Sequence, residues 1–135
     1  PSTELLANEV VLANAVLAAK LAVPLATPLF HIKRLRLADG RPVVVETRYL
    51  AESLCPSLAT EDLQNASLHW LFVQKYQIPL VRMEHVVEIE PISAAAAELL
   101  RIPAGSPAFH VDRLTFTSNE AGEKVPAVWF QAIYS

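Results

Sequence analysis

Two arginines, Arg34 and Arg36, stand two positions apart in a run of apolar residues that predicts a strand. Side chains two apart on a strand point to the same face, so both guanidiniums share a face with Phe30 and Ile32. Two guanidiniums about 6.5 Å apart repel each other, and apolar neighbours desolvate them. They require a neutralising partner, which is either a carboxylate or an anionic ligand held by bidentate hydrogen bonds.

The carboxylate best placed for this role is Glu46, on the strand-like run Val43–Tyr49 that follows an Asp39-Gly40 turn signal. A three-residue loop makes Arg34 and Glu46 direct cross-strand neighbours, whereas a two-residue turn puts Glu46 on the other face. The sequence leaves this register open. Composition alone favours a solvated ladder of ion pairs over a ligand site, because charged side chains are common on surfaces.

Three further residues could take part in binding an anion. Arg113 lies on a later predicted strand beside Asp112, and a structural ion pair is the simpler interpretation of it. Ser67 and His69 begin a predicted helix, where free backbone N–H groups suit a phosphate or a carboxylate. A role for Ser67 as a helix cap only is the commoner one.

The remaining composition excludes several classes of function. Glycine occurs only three times, and no P-loop, dinucleotide-binding or Ser/His/Asp pattern is present. A net charge of −3 disfavours direct binding to a nucleic-acid backbone. The histidines lack the spacing of metal ligands, so we expect neither a metal nor a cofactor; they are His31, His69, His85 and His110.

The length of 135 residues, with 53% hydrophobic and 19% charged residues, predicts one globular domain. Cys55 is the single cysteine, which favours a reducing, cytoplasmic setting and a buried thiol. No apolar run reaches membrane-spanning length, and no signal peptide is present, so we expect no membrane partner. The start at Pro1 and the end within a strand-like run indicate part of a longer protein.

The elements that position these residues can be read from periodicity and caps. Three helices are predicted, at Ala15–Leu21 after the cap Asn14, from a cap at Asn65 or Ser67 to about Gln77, and at Ala94–Leu100 after the cap Ser93. A loop is predicted over Ala51–Ala59. Six strands are predicted, at Asn8–Leu12, Leu29–Leu37, Val43–Tyr49, Leu80–Glu90, Ala108–Thr117 and Val125–Tyr134.

The chain also repeats itself. Leu21–Leu37 and Leu100–Phe116 align without gaps at a shift of 79, with seven of seventeen positions identical. A strand and an alanine-rich helix precede each segment, and a turn and another strand follow it. Tandem units of this kind share one core. The fold class predicted is α+β, an internally duplicated antiparallel sheet of about six strands with about three flanking helices.

Three motifs in this order resemble the UTRA domain, the effector-binding domain of GntR-type transcriptional regulators of the HutC subfamily. They are R-L-R-x-A-D-G-x-P from Arg34, E-T-x-Y-L from Glu46, and A-x-x-L-L-x-I-P-x-G-S-P from Ala96. The resemblance covers nearly the whole chain and implies a fold similar to that of chorismate lyase.

The resemblance implies a small anionic metabolite as effector, with its anionic group held by Arg34, Arg36 and Ser67. Glu46 is implied to contact hydroxyls or amines of the ligand, and Tyr134 matches a late tyrosine of the family.

Three aromatic positions bear on the kind of effector. His69 stands where sugar-phosphate binders of the family have tyrosine, so it is a candidate partner for a carboxylate. Trp129 or Phe130 could stack on a planar ligand, depending on which of them faces the pocket.

In the full-length regulators that the chain resembles, a separate N-terminal winged helix-turn-helix binds operator DNA as a homodimer. Nothing in residues 1–135 resembles that module, so the prediction is a non-enzymatic sensor domain. Two alternatives remain open. One is a chorismate lyase-like enzyme acting on an aromatic-precursor carboxylate, and the other is a dimerisation module that has lost its effector.

Overall fold

The computed structural model describes residues 1–135 and contains six strands and three short α-helices. In chain order they are β1 (Ser2–Leu12), α1 (Ala15–Leu21), β2 (Pro28–Ala38), β3 (Arg41–Ala51), α2 (Leu68–Trp70), β4 (Arg82–Pro91), α3 (Ala94–Leu100), β5 (Pro107–Ser118) and β6 (Lys124–Tyr134).

All six strands belong to one antiparallel sheet in the order β1-β2-β3-β6-β5-β4. The first half of the chain is a β-α-β-β unit, the second half repeats it, and the two units join where β3 pairs with β6. The predicted α+β class, strand number and duplicated order of elements are confirmed.

The two equivalent helices begin and end in the same way. The side chain of Asn14 accepts a hydrogen bond from the Leu17 N–H, and Ser93 does the same for Ala96. Both helices end at a residue in the left-handed conformation, Ala22 or Arg101, and these two positions are also 79 apart. The predicted bounds of both helices are confirmed.

The two faces of the sheet are covered differently. Helices α1 and α3 pack on one face, here called the helix face. The opposite face, here called the site face, is covered over β2 and β3 by residues 52–80, here called the cover segment. The largest apolar cluster lies beneath this segment and includes Phe30, Ile32, Leu50, Leu58, Leu63, Leu68, Leu71 and Phe72.

The middle helix differs from its prediction. Only Leu68–Trp70 is α-helical, and Leu71–Lys75 forms a wider π-helical turn in which the Tyr76 N–H donates to the Leu71 carbonyl. This turn brings the sequence neighbours Leu71 and Phe72 into the core together. Burial of both side chains therefore prevails over regular helical geometry.

Two other boundaries also differ. Strand β1 begins at Ser2 rather than Asn8, because it pairs along its length with β2 and this pairing outweighs the weak strand propensity of its polar residues. The predicted loop Ala51–Ala59 contains two short 3₁₀ turns, Glu52–Leu54 and Pro56–Thr60. None of the helices combines the length and the apolar character that a membrane-spanning helix requires.

Cys55 lies between those two turns and is 2% exposed, as its apolar surroundings predicted. Burial raises the pKa of its thiol to about 11. The native fold therefore holds the neutral thiol, while the unfolded chain ionises it at an ordinary pKa.

We expect the free energy of unfolding of the wild type to fall between about pH 9 and pH 11, and to fall less in Cys55→Ala. The sign follows from the raised pKa, because stability is complete below the unfolded pKa and is lost as the pH rises towards the folded one. Denaturant titrations of both proteins at pH 8 and pH 10.5 measure this difference. An equal loss in the two proteins would contradict a buried neutral thiol.

Candidate anion-binding site

The β2–β3 hairpin resolves the register that the sequence left open. Asp39 and Gly40 form a two-residue turn with both residues at positive φ, which alone would turn Glu46 to the opposite face from Arg34. A β-bulge at Val43 adds one residue to β3 and reverses this effect. Arg34 and Glu46 are therefore direct cross-strand partners on the site face.

Glu46 lies at the centre of a group of arginines. Its Oε1 accepts from Arg34 Nη2 at 3.3 Å and from Arg36 Nη1 at 3.4 Å. Its Oε2 accepts from Arg48 Nη2 at 3.4 Å. The Glu46 side chain is only 9% exposed, whereas that of Arg36 is 43% exposed. The carboxylate is thus buried among three guanidiniums, and Arg36 is the one that reaches solvent.

Arg34 also fixes the cover segment to the sheet. Its Nη1 donates to the carbonyl of Ala66 at 3.0 Å and to that of Leu63 at 3.5 Å. These carbonyls precede α2, which begins after Ser67. The other terminal nitrogen of Arg34, Nη2, donates to Glu46. The Arg34 guanidinium therefore has a structural role, because it connects the sheet to the segment that precedes Ser67.

A fourth guanidinium belongs to the same face. Phe130 on β6 is the cross-strand partner of Arg48 on one side and of Arg113 on the other. The two guanidinium carbons lie 4.6 Å and 4.8 Å from the centre of its ring. Arg113 forms no ion pair; its neighbour Asp112 lies on the helix face and accepts from Trp129 instead. The structural ion pair expected for Arg113 is therefore absent.

The charges of this site do not balance. Four positive side chains, Arg34, Arg36, Arg48 and Arg113, here called the arginine cluster, face the single negative charge of Glu46. Three buried N–H groups have no hydrogen-bond partner, namely Arg34 Nε, Arg48 Nη1 and Arg113 Nε. Burial lowers the pKa of Arg48 to about 10 and also lowers that of Arg34. An anion bound beside the cluster would offset the charge surplus.

A cleft of about 300 Å³ opens beside the cluster. Arg36 and Glu46 line it together with Val44 and Tyr134. Three of the residues selected from the sequence, Arg36, Glu46 and Tyr134, therefore line the same cleft. Arg36 is the one member of the arginine cluster that lines this cleft, so an anion of modest size can reach the cluster through Arg36.

Two predicted site residues lie elsewhere. The hydroxyl of Ser67 accepts from the Trp70 N–H, which is the role of a helix cap. His69 is exposed and lines a separate groove with Val73 and Ile78. Neither side chain forms a hydrogen bond or an ion pair with the arginine cluster.

Arg48 is the residue that sequence reasoning missed. It stands two positions after Glu46 on the same strand, so the alternation that linked Arg34 to Arg36 also places Arg48 beside Glu46. Of the two aromatic candidates, Phe130 lies on the site face and Trp129 on the helix face. Two guanidiniums, those of Arg48 and Arg113, already pack on the Phe130 ring, so this ring supports them rather than a ligand.

The model of the family described as the UTRA domain matches residues 1–125. The chain belongs to the UTRA domain family. The resemblance noted in the sequence is thereby confirmed. The chain is similar to the HTH-type transcriptional regulator YurK of Bacillus subtilis, which has no characterised function, with 22% identity over 89% of this chain and 50% of YurK. This UTRA domain spans about half the length of the curated relatives it matches.

Solved structures share the fold of this UTRA domain. A protein of Streptomyces coelicolor assigned as a transcriptional regulator superposes with a TM-score of 0.88 and 30% identity, over 100% of this chain and 86% of that one. The ligand-binding domain of a Bordetella bronchiseptica protein assigned to the GntR family superposes with a TM-score of 0.86 and 23% identity, over 98% and 83% of the two chains.

Substitution of Glu46 tests whether this carboxylate contributes most to the stability of the site. We expect Glu46→Gln to lower the free energy of unfolding by about 3 kcal/mol, because it leaves several buried guanidiniums without a counter-charge. Arg36→Gln is expected to cost under about 1 kcal/mol, because Arg36 is partly solvated and Glu46 keeps two other partners. Urea denaturation of the two variants measures this, and equal losses would show that Glu46 is not the centre of the network.

Proposed function

We propose that this UTRA domain is the effector-binding and dimerisation domain of a GntR-type transcriptional regulator of the HutC subfamily, and that a small anionic metabolite binds in the cleft beside Arg36. The observation that carries this proposal is the charge surplus of the arginine cluster, with three buried N–H groups left unpaired. A core that needed only structural ion pairs would carry as many carboxylates as guanidiniums.

The proposed binding mode follows from exposure and reach. Arg36 meets the anion first, since its side chain is the most exposed of those that contact Glu46. Arg48, on the neighbouring strand, holds the other oxygen of Glu46 and adds positive charge behind the cleft. Tyr134, across the cleft, contacts the remainder of the ligand. A cleft of about 300 Å³ is at the small end of ligand sites, which favours a compact metabolite.

The proposed mechanism requires differential binding and no reaction. The effector binds one arrangement of the regulator more tightly than another and so shifts the population towards it. Residues 1–135 form one effector-binding domain. Operator DNA is bound by an N-terminal winged helix-turn-helix outside these residues. The regulator works in the cytoplasm, where both its metabolite and its DNA are found.

An enzymatic role of the chorismate lyase type is the alternative, and the geometry supports it less well. Both oxygens of Glu46 accept hydrogen bonds from arginines, which leaves no free general base beside the cleft. Arg34 is likewise occupied by backbone carbonyls. The cleft therefore offers anion binding without a partner for proton transfer, and we propose that the domain is not an enzyme.

The binding proposal is tested by calorimetric titration with inorganic phosphate and with a panel of sugar phosphates, imidazole carboxylates and aromatic carboxylates. We expect Arg36→Gln to weaken the binding of whichever anion binds best by roughly 10- to 100-fold, the usual value of a charge-assisted hydrogen bond. Lys33→Gln is the matched control, because it removes the same charge from the helix face of the same strand. Its affinity is expected to stay within about twofold of wild type.

Equal weakening by both substitutions would mean that only the overall charge matters, and the proposed cleft would be wrong. Incubation of the wild type with chorismate, followed by chromatography for an aromatic product, separates sensor from enzyme. Turnover that Arg36→Gln abolishes would establish the lyase alternative.

A further inference from the structure

The site face of the second half of the sheet has no cover. In the first half, the cover segment packs on β2 and β3 and buries their apolar side chains. No corresponding segment lies over β4 and β5, and every residue of β4 is exposed. The outermost strand is thus open to solvent on both faces and along its free edge.

This uncovered region is strongly apolar. We call it the open apolar surface and define it by five large side chains with their exposed fractions, Met83 (54%), Val87 (53%), Ile89 (67%), Phe109 (51%) and Tyr134 (38%). Ile89, Phe109 and Tyr134 are direct neighbours across three strands. Five half-exposed side chains of this size present on the order of 500 Å² of apolar surface, near the upper limit for one patch on a monomer.

The other face of β4 has the opposite character. Glu84, Glu88 and Glu90 alternate along it and point to the helix face, as their pairing with β5 shows. If two copies joined their β4 edges in antiparallel fashion, centred on Val86 or Val87, Glu84 would stand opposite Glu88 or Glu90 of the partner subunit. Like charges directly opposite each other destabilise a sheet, so these glutamates protect the edge from pairing.

From these observations we propose that the open apolar surface is the contact between two copies of this chain, which pack it face to face about a two-fold axis. This inference deepens the proposed function, on whose dimerisation it rests, by assigning the surface. No carboxylate lies on the site face of β4, so two copies can approach without acidic repulsion. About 500 Å² per copy supplies more than half of the roughly 800 Å² that each partner contributes to a standard interface.

The proposed contact is continuous with the anion cleft. Tyr134 belongs to the open apolar surface and also lines the cleft with Arg36 and Glu46. His85 lies between Met83 and Val87 on the same face of β4 and is the cross-strand partner of Arg113. A second copy seated here therefore lies against the border of the arginine cluster.

Adjacent valines on β4 allow a matched test. Val87 is 53% exposed on the site face, and Val86 is 56% exposed on the helix face. We expect Val87→Glu to raise the dimer dissociation constant at least 100-fold, because it places a carboxylate inside the contact. Val86→Glu adds the same charge one residue away, and its dissociation constant is expected to stay within about threefold of wild type. Sedimentation velocity over a range of protein concentrations measures both, and thermal melts establish that the variants are folded.

Each result decides between specific arrangements. Equal weakening by the two substitutions would indicate edge-to-edge pairing and overturn face-to-face packing. A dimer unaffected by Val87→Glu would show that the contact lies elsewhere. A wild type that stays monomeric at high concentration would show that this surface is not a contact between copies. Ile89→Lys replaces Val87→Glu if the latter melts early. Phosphate titration of the monomeric variant distinguishes a failed contact from a failed anion site.

Discussion

One buried carboxylate determines the arrangement of the site. Glu46 accepts hydrogen bonds from three arginines on two strands, and it can do so only because a bulge in β3 returns it to the face of Arg34. Through Arg34 the same carboxylate also determines where the cover segment meets the sheet. Several charges that would each be costly to bury alone are thereby held at fixed positions.

The duplication explains why positive charge is left over. Arg34 and Arg113 are equivalent in the two halves, and each has a cross-strand partner on the following strand. For Arg34 that partner is Glu46, and for Arg113 it is Phe130. A ring face attracts a guanidinium without neutralising it. The arginine is therefore repeated and the carboxylate is not, which leaves a site of incomplete charge at the junction of the two halves.

The sequence predicted what local signals encode and missed what depends on the tertiary fold. Two helices were predicted from their caps, Asn14 and Ser93, and the first hairpin was predicted from the Asp39-Gly40 turn. The repeat predicted the architecture of the sheet. The bulge at Val43 was beyond prediction because no residue type there requires it. The π-helical turn after Trp70 was missed for a similar reason, since it depends on burial of adjacent side chains against a sheet that the local pattern does not describe.

The two unusual features of the surface have a common origin in the asymmetry between the halves. The first half has both a carboxylate for its arginine and a segment over its site face, and the second half has neither. The proposed anion rests on the charge surplus of the arginine cluster, and the proposed contact between copies rests on the uncovered apolar surface. Because Tyr134 borders both places, we expect the proposed anion binding and the proposed contact between copies to influence each other.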